Sequence, residues 1–277
     1  VILKKLNLKS KQKIDLNNWI NFLSALNKPK NDIKIGVIGK YVELQDAYKS
    51  ISESIIHAGA SNSCNVKIEW IHSEKITNTN VKEKLKNLSG VLVAPGFGDR
   101  GMEGKINSIK YVRENNIPFF GICLGMQSAV IEFSRNVLKL NNADSTEMNI
   151  NTKYPVIDLM ENQKNISEKG GTMRLGSYEC TLAKNSLAKI AYKKKNISER
   201  HRHRFELNNK FKSQLEKAGM FASGVNEENN LVEIIEIPNH RWFVGVQFHP
   251  EYKSTVSKPH PLFVNFIDAC LKYKVNG

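Results

Sequence analysis

An α/β fold, with a mostly parallel central sheet flanked by helices and with additional antiparallel strands, is predicted by two patterns in this chain of 277 residues. From residue 33 to about 133, short continuous apolar runs alternate with amphipathic stretches of helical period. Continuous runs mark strands buried on both faces, and their alternation with helices builds a parallel sheet with helices on each side. Beyond residue 176, strand-like segments succeed one another with few helices between them, which is how antiparallel strands extend such a core.

The elements follow in order. Residues 1–32 mix apolar pairs such as Trp19-Ile20 with many lysines and asparagines and close on Asn27-Lys28-Pro29-Lys30-Asn31-Asp32. This composition reads as an N-terminal extension or interdomain linker ahead of one domain, 33–277. The apolar run at 33–38 predicts a strand, the amphipathic stretch 46–59 a helix, 66–71 a strand and 81–88 a helix. The run at 91–94 predicts a further strand, 105–115 a helix, and 118–122 a strand that passes directly into a helix at 124–133. Residues 141–176 are polar and poorly periodic and predict a long surface loop. Strands are expected at 177–182, 203–207, 231–237 and 242–248, and an amphipathic helix at 261–272 closes the chain.

A composition of 40% hydrophobic residues suffices for one sizeable core. No apolar run approaches the roughly 18 residues of a membrane span, and the lysine-rich N-terminus lacks the apolar stretch of a secretory signal, so a cytoplasmic protein without a membrane partner is expected. The four cysteines, Cys64, Cys123, Cys180 and Cys270, form no C-x-x-C pair and suggest neither a zinc site nor a disulfide framework. The net charge of +14 comes from lysines dispersed along the whole chain, a pattern of solvated faces and not of a nucleic-acid surface.

Chemistry concentrates in Phe119-Phe120-Gly121-Ile122-Cys123-Leu124-Gly125-Met126-Gln127. A strand ends at Ile122, a helix starts near Leu124, and glycines stand two positions to either side of Cys123. That spacing suits a nucleophile elbow, a turn so tight that only hydrogen-sized side chains fit at its flanks. At a helix N-terminus the unpaired N–H groups and the positive dipole end favour the thiolate, and the same groups, Leu124's among them, can hold an oxyanion. The bland alternative is a cysteine buried as a small hydrophobe between strand and helix.

A second string, Val246-Gln247-Phe248-His249-Pro250-Glu251, shifts the balance. Residues two apart in extended chain project to one side, so His249 and Glu251 share a face. A carboxylate beside an imidazole holds its tautomer and stabilises the imidazolium, which can then act as base and acid for a thiol. Cys123, His249 and Glu251 become candidate nucleophile, base and orienter. The basic run Glu199-Arg200-His201-Arg202-His203-Arg204 places Arg200, Arg202 and Arg204 on one face of a strand and His201 and His203 on the other; two histidines without a third ligand make no metal site.

Gly121-Ile122-Cys123-Leu124-Gly125 together with Phe248-His249-Pro250-Glu251 resembles the class I, or triad, glutamine amidotransferases. Further strings are similar to the glutaminase domains of CTP synthases within that family. They are Gly39-Lys40-Tyr41-Val42-Glu43-Leu44 leading to Asp46-Ala47-Tyr48-Lys49-Ser50, then Gly170-Gly171-Thr172-Met173-Arg174-Leu175-Gly176, and Glu199 to Arg204. The similarity spans about residue 33 to the C-terminus. It implies hydrolysis of L-glutamine to glutamate and ammonia, with a glutamine pocket made by Gly96, Phe97, Leu124, Gln127, Glu147 and Arg204. Glu147 and Arg204 would supply one charge each for the substrate's ammonium and carboxylate.

The resemblance also implies a GTP-responsive loop around Arg100, Gly101 and Glu103, and no metal or other cofactor in this domain. The full-length enzyme would be a homo-oligomer using ATP and Mg, with GTP as activator, to aminate UTP in a synthetase domain absent from this chain. One departure stands out: the family has a proline followed by two glycines where this chain has Ala94-Pro95-Gly96. Proline has no N–H, so oxyanion stabilisation would rest on Leu124 and a shifted donor such as Gly96. Two other readings stay open, an amidotransferase serving another synthetase and a catalytically weak or inactive binding module on the same fold.

Overall fold

The computed structural model describes residues 1–9, 15–159 and 173–276. Ahead of the sheet lie two helices, α1 (Ile2–Lys5) and α2 (Asn17–Asn27), neither of which was expected from the lysine-rich N-terminal segment. The helix α2 leaves Trp19, Ile20 and Leu23 largely exposed and touches the body through Phe22, whose ring meets His57 edge-on.

The first half of the sheet follows the alternation in the sequence. It contains β1 (Asn31–Gly39), α3 (Lys49–Ser61), β2 (Cys64–His72), α4 (Val81–Leu85), β3 (Gly90–Val93), α5 (Met102–Glu114), β4 (Phe119–Ile122) and α6 (Leu124–Asn136). The helix expected at 46–59 is split: Gln45–Tyr48 is a 3-10 turn whose Tyr48 hydroxyl accepts from the Lys40 N–H, and the α-helix proper starts at Lys49. The helix expected at 81–88 stops at Leu85, and the one expected at 105–115 begins earlier, at Met102, behind a left-handed Gly101.

The second half departs further. In place of one surface loop at 141–176 there are β5 (Ala143–Ser145), β6 (Tyr154–Leu159) and the start of β7 (Arg174–Leu182); residues 160–172 of that stretch, with Gly170 to Thr172, lie outside the described residues. The segments that follow are α7 (Leu187–Tyr192), β8 (Asn196–His203), β9 (Phe205–Leu207), α8 (Asn209–Lys217), β10 (Phe221–Asn226), β11 (Leu231–Glu236), β12 (Phe243–Val246) and α9 (Pro261–Asn276). The strand expected at 203–207 is therefore two. Its first residue ends β8, and the rest pairs with β6 in a separate small sheet of order β5-β6-β9.

The main sheet is mixed, in the order β2-β1-β3-β4-β12-β11-β10-β7-β8. Neighbours are parallel from β2 to β12 and antiparallel from β12 to β8. Each face carries its own apolar layer. On one, Ile51, Ile55, Phe263 and Phe266 of α3 and α9 pack on Ile35, Val37 and Phe120; on the other, Ile106 and Ile109 of α5 and Met126 and Val130 of α6 pack on Val91, Val93 and Phe119. Burial of about 25 cal/mol per Å² of apolar surface on both faces explains why the central strands tolerate no polar alternation.

Candidate active site

The parallel pairing of β4 with β12 brings distant parts of the chain together. Ile122 is in register with Val246, so both strands end at one edge and Cys123 emerges beside Gln247. Its N–H donates to the Val246 carbonyl over 2.7 Å, and its carbonyl accepts the first helical bond of α6 from Gln127, over 3.1 Å. Cys123 itself has φ 52° and ψ −104°, a conformation outside the regions open to an unstrained side chain.

The flanking glycines are required on steric grounds. A Cβ on Gly125 would stand 2.2 Å from the Val93 carbonyl oxygen, and one on Gly121 would stand 2.8 Å from backbone atoms of Gly125. The strained backbone and the glycines match the expected elbow, but such a turn was also expected to hold the cysteine exposed, and Cys123 is buried, 3% exposed.

His249 follows β12 and is buried, with its N–H donating to the Arg200 carbonyl over 2.8 Å. Nδ1 lies 2.7 Å from Oε1 of the buried Glu251, and the ring stacks on Tyr252 with centroids 5.0 Å apart. Burial by itself disfavours the imidazolium, but the Cys123 sulfur and the Glu251 carboxylate outweigh it and raise the His249 pKa well above its ordinary value. Cys123, His249 and Glu251 line one cleft of about 250 Å³ together with Pro95, Gly96, Tyr41 and Tyr252.

On its other side Cys123 faces a second, much smaller cavity of about 20 Å³, lined by Gly96, Phe97, Gln127, Glu147, Met173, His203, Arg204 and Phe205. This is where the structure places the residues expected to bind glutamine; Leu124 is not in its lining, and its side chain approaches Gly96 instead. Glu147 accepts the Gly98 N–H over 2.9 Å. Gln127 donates to the Phe205 carbonyl, 2.9 Å, and to Oε1 of Gln247, 3.2 Å.

Arg100, Gly101 and Glu103 line neither cavity. Arg100 pairs with Glu74 at 2.9 Å, and Glu103 pairs with Arg135 at 2.7 Å. Gly101 holds φ 77° against the Ser73 side chain.

The basic run alternates as expected, with Arg200 and Arg202 exposed and His201 and His203 buried. The histidines join a buried polar cluster and share a 2.8 Å hydrogen bond. Arg174, also buried, reaches Glu233 at 2.7 Å and Glu206 at 3.3 Å. Burial, with Arg174 and His249 adding to it, lowers the His203 pKa to about 3, and burial raises that of Glu233 to about 7.

Two kinds of contact escaped the sequence reading. Gln247 is fully buried, and its Nε2 points at the Cys123 sulfur from 3.7 Å. The alternation that linked His249 to Glu251, extended one step back, would have found it. Lys105, also fully buried, donates to the Ala94 carbonyl, and it stands among Met102, Ile106 and Ile109 on the apolar stripe of α5. A lysine at a stripe position was its signal.

The profile of the class-I glutamine amidotransferases matches residues 43–269. Among curated proteins, the CTP synthase of Flavobacterium johnsoniae is 61% identical over 271 residues, covering 98% of this chain and 50% of that protein. The CTP synthase of Christiangramia forsetii is 59% identical over 275 residues, covering 99% of this chain and 50% of that protein. The chain thus spans about half the length of the curated relatives it matches. Among solved structures, the glutaminase domain of Trypanosoma brucei CTPS with bound acivicin superposes with a TM-score of 0.82 at 36% identity, covering 87% of this chain and 94% of that one.

Proposed function

The chain belongs to the class I glutamine amidotransferase family, and from that premise we propose that it hydrolyses L-glutamine with Cys123 as nucleophile, His249 as base and acid, and Glu251 as orienter. The observation that carries this reading is the 2.7 Å contact between His249 and Glu251 in the cleft that Cys123 enters from its strained turn. The contact fixes Nδ1 toward the carboxylate and leaves Nε2 to exchange a proton with substrate or water.

In the proposed reaction the thiolate adds to the side-chain amide carbon, and the resulting oxyanion is held by the Leu124 N–H and a donor of the 94–97 loop. His249 protonates the nitrogen, and ammonia leaves behind a glutamyl thioester. Water, giving a proton to His249, then releases glutamate and restores the thiol.

The substrate's ammonium and carboxylate fit Glu147 and Arg204, which share the smaller cavity. At about 20 Å³ that cavity admits no more than a water, so the residues around it have to move apart as glutamine enters. Two neighbouring cavities meeting at one sulfur suit a substrate held on one side and ammonia released on the other. The relatives' name supports UTP amination as the fate of that ammonia, using ATP and Mg in a synthetase half, with the Arg100, Gly101 and Glu103 loop as the element answering to GTP. We place this activity in the cytoplasm, as part of a homo-oligomeric enzyme.

Glutamate release from glutamine, together with mass spectrometry after exposure to a diazo-ketone glutamine analogue, tests the reading. A single adduct on Cys123 and loss of both signals in Cys123→Ala are expected. A chain that releases glutamate equally well as Cys123→Ala would overturn the assignment, and one that takes no adduct and releases no glutamate would favour a binding module.

A further inference from the structure

Buried ionised groups in this chain are generally paired: Glu132 with Arg113 at 2.7 Å, Glu233 with Arg174, and Glu236 with two backbone N–H groups and the Ser223 hydroxyl. Among the described residues Lys105 and Lys40 are exceptions, Lys105 being the more deeply buried. Its side chain has no solvent exposure, and among the described residues its amine forms no ion pair; its one hydrogen bond runs to the Ala94 carbonyl, over 3.2 Å. Burial lowers its pKa to about 7, Lys40 pushes in the same direction, and Cys123 and Glu147 oppose them. A lone buried amine is unfavourable for the fold, so its position calls for a gain elsewhere.

The surroundings locate that gain. Lys40, itself buried, donates to the carbonyl of Phe97. The Gly98 N–H is taken by Glu147, and Pro95 has no N–H. The backbone is thus held at Ala94 on one side and at Phe97 and Gly98 on the other. Between these anchors stand the N–H groups of Gly96 and Phe97, and among the described residues neither donates a hydrogen bond. A Cβ on Gly96 would lie 3.6 Å from Lys40 Cε and 3.8 Å from Lys105 Nζ, so the two lysines flank this residue closely. Gly96 in turn lines both cavities that meet at Cys123.

We propose that Lys105 and Lys40 are positioning residues that clamp the 94–97 backbone and aim the Gly96 N–H at the oxyanion formed on Cys123, replacing the donor that Pro95 cannot supply. This rests on the glutaminase reading above. The amine donates to Ala94 whether charged or neutral, so the clamp operates on both sides of neutral pH.

The test is Lys105→Met, which keeps the length of the side chain and removes donor and charge. If the lysine serves the oxyanion, kcat for glutamate release falls about 10–100-fold with KM within about threefold, because the lost interaction exists only in the transition state. The melting temperature stays level or rises, since a desolvated amine has been removed. An unchanged kcat would overturn the proposal. Lys40→Met gives the same kcat loss and serves if Lys105→Met does not fold, and the double variant loses less than the product of the two factors.

Amide hydrogen exchange separates the clamp from the chemistry. Exchange at the hydrogen-bonded amides on either side, that of Ala94, which donates to the Ile38 carbonyl, and that of Gly98, which donates to Glu147, rises at least about tenfold in either variant if the lysines hold the loop, and unchanged exchange refutes the clamp. Should the unaltered chain release no glutamate, the glutaminase reading fails, and the exchange measurement alone decides the clamp.

Discussion

Gly125→Ala is the most demanding test of how the turn presents Cys123. A methyl group there would sit 2.2 Å from the carbonyl oxygen of Val93 and 3.1 Å from its carbon. Ordinary contact begins near 3.4 Å, so the overlap with the oxygen is roughly 1.2 Å. Rotamer changes cannot relieve it, because both partners are backbone, one in β3 and one in α6, and β3 is tied on both sides to β1 and β4.

Relief requires moving the start of α6 by about 1 Å. Overpacking of this kind typically costs about 1–3 kcal/mol, and a backbone-on-backbone clash belongs at the top of that range. For a domain of this size about 3 kcal/mol corresponds to a fall of roughly 6–12 °C in melting temperature. The same shift carries Cys123 away from His249, and a displacement near 1 Å can cost about 10²-fold in rate.

Thermal denaturation followed by circular dichroism, with glutamate release on the same sample, reads both effects. Gly96→Ala is the control: its added methyl would meet nothing closer than 3.5 Å and its φ is not positive, so its melting temperature should match the parent or slightly exceed it. A Gly125→Ala protein with parental melting temperature and activity would refute the elbow argument, since the contact that forbids the side chain could not then exist.

Two further outcomes follow from buried charge. Arg174→Met leaves Glu206 and Glu233 buried without their common cation, so it should lower stability by about 3–5 kcal/mol. Denaturant unfolding should show a larger deficit at pH 9 than at pH 6, because a protonated carboxyl needs no counter-ion; a deficit that shrinks as pH rises would contradict this. Lys105 gives a second pH test, and its sign is set by linkage. Its folded pKa is depressed to about 7 while an unfolded lysine titrates near 10.4, so between those values the unfolded chain binds the extra proton and stability rises with pH. The stability advantage of Lys105→Met over the parent should therefore be greatest at or below pH 7 and shrink toward pH 9.5. Parallel curves would show that Lys105 titrates alike in both states.

The parallel half of the fold was legible because each strand there is a continuous apolar run. Val91 to Ala94 and Phe119 to Ile122 are wholly buried, and nothing but a two-sided strand accounts for such runs. The antiparallel half was harder to read, and for a physical reason. In β8, Asn196–His203, the buried positions are Ile197, Glu199, His201 and His203, so the inner face of the strand is mostly polar and carries no hydrophobic alternation to detect. Its burial is made possible by Arg174, Glu233 and Tyr192, partners from other segments that no local pattern announces. The same holds for the short β5 and β6, which belong to a second sheet completed only by β9.

The site divides along the same line. Cys123, His249 and Glu251 could be nominated from the chain because each sits in a short recognisable string: a turn demands its glycines, and the pair at 249 and 251 is close in sequence, although it meets across a 3-10 turn, Pro250–Lys253, and not by the strand alternation expected. What fixes their chemistry is not local. The cysteine meets the histidine because β12, from the antiparallel half, inserts beside β4 in parallel, with Val246 level with Ile122. A one-residue slip of that register would send the side chain of Gln247 away from the sulfur and His249 to the opposite face, while leaving every motif intact. The bond from the Cys123 N–H to the Val246 carbonyl pins this register at the turn itself, so the turn that strains Cys123 also aligns the strand that leads to His249.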